Sequence, residues 1–206
     1  MAKLVLVRHC QSTWNDVDAW TGLTDISLSK KGREKAKKIG NFLKDIPFDL
    51  SFTSALRRAQ ETLTEIKLTI GRGDLPVIED PALNERDYGD LTGKNKPEME
   101  KMYGEEQFLK WRRSWDYPIP NGESLKDVYG RVVPYYTEKI LPELQNGKNI
   151  LVVAHGNSLR ALIKYLDGIP DTEIADLDLG FGKIFVYEID KDGKISGKTI
   201  KEADIN

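Results

Sequence analysis

LVLVRHCQSTWN (Leu4–Asn15) opens with an apolar run that stops at an arginine and a histidine, and ILVVAHGNS (Ile150–Ser158) repeats the pattern near the other end of the chain. Apolar runs without polar alternation read as strands buried on both faces, the habit of parallel sheets. Working outward, strand-length runs recur at Leu4 to Val7, Leu50 to Thr53, Ile150 to Ala154 and Ile184 to Ile189, the last followed by an Asp192-Gly193 hairpin signal. Helical periodicity fills the gaps. One helix is expected from about Lys30 to Lys44, with Ala36, Ile39 and Leu43 on its apolar face and Ser29 as cap. A second follows Ser54 and buries Leu56, Ala59, Leu63 and Ile66. A third spans roughly Leu125 to Leu144 and is bent by Pro134, and a fourth begins near Asn157 and ends at Gly168. Strands alternating with helices predict an α/β fold, a three-layer α/β/α sandwich around a mainly parallel sheet. Residues 1–206 read as one domain, with a charged and aromatic excursion at about 79–120 lying over one edge of the sheet and over the active site.

The composition narrows the function classes. Thirty-one Lys plus Arg nearly balance thirty-three Asp plus Glu, so a net charge of −2 gives no global pull toward nucleic acid or an anionic membrane. Any anion site must be local. A single cysteine, Cys10, forms no internal disulfide, and no apolar run is long enough to span a bilayer. The expectation is a cytoplasmic protein with neither nucleic-acid nor membrane partners.

Only two histidines exist, His9 and His155, and each directly follows a buried strand. Ligands of open α/β sheets bind beyond the carboxyl ends of strands, so neighbouring strands would bring the two rings together there. With no further His/Cys/Asp cluster at ligand spacing, no metal is expected. A neutral imidazole, of reference pKa about 6.5, can instead take a phosphoryl group onto nitrogen. Positive charge should then surround it: Arg8 precedes His9, and TSALRRAQET places Arg57 and Arg58 in the first turn of a helix whose free N–H groups would favour an anion.

Six segments in order, LVRHCQSTWN, FTSALRRAQETL, LNERDYGDLTGKNK, WRRSWDYP, NGESLKD and VVAHGNSLR, resemble the histidine phosphatase superfamily and, within it, the 2,3-bisphosphoglycerate-dependent phosphoglycerate mutases. The resemblance spans nearly the whole chain. It implies that His9 is the phosphorylated nucleophile and that Arg8, Arg58 and His155 form a phosphate pocket, with Asn15, Gly156 and Asn157 adding donors. Arg57 is then the solvated member of its pair. Glu85 corresponds to the group that gives and takes the substrate's hydroxyl proton. Ser12, Thr21, Gly22, Tyr88, Lys96, Arg112 and Arg113 complete the implied substrate contacts, the two arginines being suited to bidentate phosphate binding. The implied reaction interconverts 3-phosphoglycerate and 2-phosphoglycerate, small phosphorylated three-carbon acids, primed by 2,3-bisphosphoglycerate and without a metal. A phosphomonoesterase on the same fold, or a non-catalytic phosphate-binding domain, is the alternative.

Two departures stand out. Cys10 and Gln11 occupy positions where the family usually has Gly-Glu, so Cys10 is expected to be a packing residue with negative φ. The chain also lacks an insertion after WRRSWDYPIPNGESL that longer relatives carry, which leaves a homo-oligomer possible and its state open. The terminal KEADIN could fold over the site.

Overall fold

A computed structural model describes residues 1–203. Six strands form one sheet in the order β3-β2-β4-β1-β5-β6: β1 (Ala2–Arg8), β2 (Leu50–Thr53), β3 (Val77–Glu79), β4 (Ile150–Ala154), β5 (Lys183–Ile189) and β6 (Ile195–Glu202). The pairs β1 with β4, β2 with β4 and β2 with β3 are parallel, while β5 and β6 join antiparallel. The expected α/β class is therefore present, with an antiparallel hairpin closing one side.

Strand alternation assigns the two cores. Leu4, Leu6 and Val152 point to the face covered by α5 (Leu125–Tyr135) and α7 (Gly156–Asp167), against Val128, Val132, Leu159 and Leu162. Val5, Val7 and Val153 point to the face covered by α1 (Lys30–Leu43) and α2 (Arg57–Thr69), against Ile39, Leu43, Leu63 and Ile66. Ser29 caps α1 by accepting from the Gly32 N–H at 3.1 Å. A Cβ on Gly32 would lie 2.0 Å from the Gln11 carbonyl oxygen, so glycine there lets α1 press against the backbone just beyond His9.

The third expected helix is more divided than a bend. Pro134 sits inside α5, which passes into one wide π turn at Tyr136–Ile140 and then a short α6 (Leu141–Gln145). Proline has no N–H to donate to the preceding turn, and Thr137 Oγ1 donates to the carbonyls of Val133 and Pro134 at 3.2 and 3.0 Å.

The excursion has helical structure that the residue pattern did not give. It contains α3 (Lys96–Tyr103) and α4 (Glu105–Arg113) and has a small core of its own, Trp20, Leu91, Met99, Phe108, Trp111 and Ile119. It meets the carboxyl ends of the central strands where Tyr88 accepts from Asn157. The edges are β3 and β6. Of KEADIN, Lys201 and Glu202 end β6 and Ala203 is buried; Asp204, Ile205 and Asn206 lie outside the described residues. No helix among the described residues is long and apolar enough to cross a membrane.

Candidate active site

Because β1 and β4 are adjacent, with Arg8 in register with Ala154, the residues that follow them meet. The His9 N–H donates to the Ala154 carbonyl at 2.8 Å, and the His9 and His155 rings lie 5.0 Å apart. His9 Nδ1 is 2.7 Å from its neighbour's carbonyl, Cys10 O, which can only accept. Nδ1 therefore carries the hydrogen, and the lone pair belongs to Nε2. His155 Nε2 bonds Ser54 Oγ at 2.6 Å. Burial, then the charges of Arg58 and Arg8, hold His9 well below its ordinary pKa; burial, Arg58 and His9 do the same for His155. Both rings are neutral at pH 7.

Arg58 is almost fully buried and is aimed by two backbone carbonyls, donating from Nη1 to Thr24 at 2.9 Å and from Nη2 to Gly22 at 2.8 Å. Burial lowers its pKa to about 10, so it stays cationic. Arg8 donates to the Leu179 carbonyl at 2.9 Å and lies 4.2 Å over the Phe181 ring. The Nε atoms of both arginines are buried without a partner among the described residues. Unsatisfied cationic donors in a dry wall favour an incoming anion.

Glu85 is buried, and its Oε1 accepts from the backbone N–H groups of Arg86 (2.8 Å) and Asn157 (3.1 Å) and from Asn157 Nδ2 (3.0 Å). Burial pushes its pKa up, but these hydrogen bonds with Arg58 and Arg8 outweigh it, and the net shift is downward. Glu85 is thus ionised. His9, Glu85 and His155 place one donor atom each within 4.8 Å of one another, a spacing a metal ion could use. The surroundings argue otherwise: Glu85 Oε1 is already saturated with N–H donors, and Arg8 and Arg58 set a field that repels a cation.

His9, Arg8, Arg58 and Glu85 border one cavity of about 200 Å³. Its wall includes His9, Arg8, Arg58, Glu85, Asn15, Thr21, Gly22, Tyr88, Lys96, Arg112, Arg113, Gly156 and Asn157, so most of the residues picked out in the sequence converge. Ser12 and His155 do not border it. Ser12 is fully buried and donates from its backbone N–H and its hydroxyl to Asn15 Oδ1 at 3.1 and 2.8 Å, so it orients Asn15 instead. His155 is equally buried and packs against His9, which does border the cavity. The start of α2 is not open to an anion either, since the Arg57 N–H donates to Asp25 Oδ1 at 2.7 Å and the Leu56 N–H to Ser54 Oγ at 3.2 Å. Arg57 itself is exposed, as expected.

Cys10 is buried in the core beside α1 and α2, outside the positive-φ residues, with its N–H donating to Thr62 Oγ1 at 3.0 Å. Burial pushes its thiol up to about 12, so it stays protonated and inert.

Sequence reading missed the supports of the excursion. Arg131, on α5, donates to the carbonyls of Ala82, Asn84 and Glu85 at 2.7–3.0 Å and pairs with Glu123. Arg86, fully buried, donates to the Trp111 carbonyl at 2.7 Å and so holds the end of α4 that bears Arg112 and Arg113. Arg160 and Asp178 also line the cavity. Only the NSLR following His155 offered a hint of Arg160.

A mainly parallel sheet with paired strand-end histidines, two buried arginines and a covering helical excursion defines a class, and residues 4–199 match that class in sequence: the chain belongs to the histidine phosphatase superfamily, branch 1. Within it, the chain is 49% identical over 201 residues to a 2,3-bisphosphoglycerate-dependent phosphoglycerate mutase of Mesorhizobium japonicum, covering 97% of this chain and 98% of that one. It is 48% identical over 202 residues to a protein of the same name from Brucella anthropi, at the same coverage. Among solved structures it superposes on a mycobacterial glucosyl-3-phosphoglycerate phosphatase with a TM-score of 0.83 at 26% identity, covering 98% of each chain. The alpha-ribazole phosphatase of Shigella flexneri gives 0.78 at 28% identity, with 98% and 96% covered.

Proposed function

We propose that this chain is a phosphoglycerate mutase that interconverts 3-phosphoglycerate and 2-phosphoglycerate through phosphorylated His9, primed by 2,3-bisphosphoglycerate. His9 Nε2 takes a phosphoryl group from the primer, forming a P–N bond as a P–O bond breaks, and the departing oxygen takes up a proton from water by way of Glu85. Ionised Glu85 then accepts the proton of the acceptor hydroxyl as that oxygen attacks phosphohistidine. The bisphosphate so formed returns its other phosphoryl group to His9, and Glu85 protonates the departing oxygen. No proton or electron is left over. Arg8 and Arg58 hold the transferring group, with Asn15, Thr21, Gly22, Gly156 and Asn157 around it.

The observation that carries this reading is a second cationic set in the same cavity. Lys96, Arg112 and Arg113 come from α3 and α4, while the charges that act on His9 are Arg58 and Arg8. Burial and the nearby charge of Arg112 lower the Lys96 pKa, a mark of how closely the cations of this set are gathered. Hydrolysis of a monoester needs one phosphate site, whereas a mutase must hold two anionic ends in either orientation. The higher identity to mutases than to the phosphatases points the same way. Residues 1–206 then act as one unit whose excursion supplies the second site, in the cytoplasm, on small phosphorylated acids and without a resident metal.

The test is conversion of 3-phosphoglycerate with and without added 2,3-bisphosphoglycerate. Priming should raise 2-phosphoglycerate formation at least tenfold. Free phosphate as the main product at every primer concentration would replace the mutase with a phosphomonoesterase.

A further inference from the structure

α7 presents Gly156 and Asn157 to the cavity at its first turn, and Arg160 follows four and three residues later, on the same side of the helix. Arg160 is 8% exposed and borders the cavity, yet its Nε and Nη1 are buried with no partner among the described residues. Its charged neighbours are mostly repulsive: Arg113, Arg86 and Arg8 all act against its positive charge. Two acids share the cavity wall: Glu85 accepts from the N–H groups of Arg86 and Asn157, and Asp178, which feels the charge of Arg160, is hydrogen-bonded to Lys183 instead. A guanidinium buried among like charges with two idle N–H groups is costly in the empty site, and an oxyanion in the cavity would satisfy it.

We infer that Arg160 binds the second anionic group of the substrate, the one distant from His9, and so discriminates a phosphorylated acid from a simple phosphomonoester. This deepens the mutase reading, because it assigns a wall of the second site to the sheet-covering helix as well as to the excursion. The shared chemistry is an oxyanion, carboxylate or phosphate, facing a planar donor fork.

Calorimetric binding separates the cases. Arg160→Met should weaken 3-phosphoglycerate about 10- to 100-fold, the loss of a charge-assisted contact, and glycerol 3-phosphate, which lacks the carboxylate, less than about threefold. Arg160→Lys, which keeps the charge but not the fork, should recover only part of the loss. Similar weakening of 2,3-bisphosphoglycerate and 3-phosphoglycerate supports a contact to the carboxylate, and a larger loss for the bisphosphate supports one to its second phosphate. Equal effects on 3-phosphoglycerate and glycerol 3-phosphate, or none on either, overturn the assignment. The ligand-free melting temperature of Arg160→Met should hold or rise, since a repelled buried charge is removed; a fall would mark a structural role and also overturn it. Binding is measured without turnover, so a failure of primed mutase activity leaves this test intact, and a failure here leaves the mutase assay standing.

Discussion

The two sides of the cavity are built differently. On the sheet side, His9 and His155 follow β1 and β4, whose apolar residues from Leu4 to Val7 and from Ile150 to Ala154 have no measurable exposure. Across the cavity the excursion has a core of six side chains, tied down by Arg86 and Arg131 and by Gly89, where a Cβ would lie 2.1 Å from the Pro120 carbonyl oxygen. The difference teaches a division of labour. A reacting nitrogen must be held to fractions of an ångström, which suits the end of a central strand, whereas groups that grip a turning substrate can ride on a less deeply anchored segment.

Substitutions on each side sharpen that contrast. His9→Gln should lower mutase turnover by about four orders of magnitude or more while 3-phosphoglycerate still binds, a prediction that steady-state rates and calorimetry check together. Glu85→Gln should cost about 10²–10⁴ in kcat, the usual range for a lost proton-transfer group, and should leave phosphorylation of His9 by the primer less affected than transfer to the acceptor. On the excursion side, Arg112→Gln should act mainly on KM, raising it about tenfold or more, with a smaller change in kcat. A fall in kcat with no change in KM would break the contrast.

The pH response comes from the sheet side. Both histidines have folded pKa values below their unfolded one, so the unfolded chain binds protons first and stability falls as pH drops below about 6.5, by at most about 1.4 kcal/mol per histidine per unit. Melting temperatures from pH 7.5 to 5.5 should therefore decline, and His9→Gln should flatten the decline. Glu85, also shifted down, adds its loss only further into acid. The smallest effect is expected at Cys10. Cys10→Ala should keep activity within about threefold and cost about 1 kcal/mol, because the thiol packs in the core and does not border the cavity.

What the sequence made legible was local or strongly periodic. The four apolar strands, the Ser29 cap and the end of α7 at Gly168, which has φ +65°, are each written in a few adjacent residues. β3 escaped because its three residues are all exposed, and β6 was signalled only by the Asp192-Gly193 turn, since an edge strand facing solvent with Ser196, Lys198 and Lys201 has no apolar run. The excursion's helices escaped because their apolar faces pack on Trp20, which comes from another part of the chain. Most of the cavity residues came through resemblance, not periodicity. Arg86, Arg131 and Arg160 stayed hidden because an arginine's role depends on which distant carbonyl or cavity it meets, as with Arg86 and Trp111. Ser12 shows the converse: it stands next to the site in sequence, yet its hydroxyl turns inward to Asn15, a contact that adjacency alone does not give.

The central claim concerns one atom, His9 Nε2. Incubation with phosphoryl-labelled 2,3-bisphosphoglycerate, followed by mass spectrometry under alkaline conditions, should find an acid-labile labelled phosphoryl group on His9, whose label passes to phosphoglycerate when unlabelled 3-phosphoglycerate is added. An unmodified His9, or a stable phosphoryl group on any other residue, would contradict it.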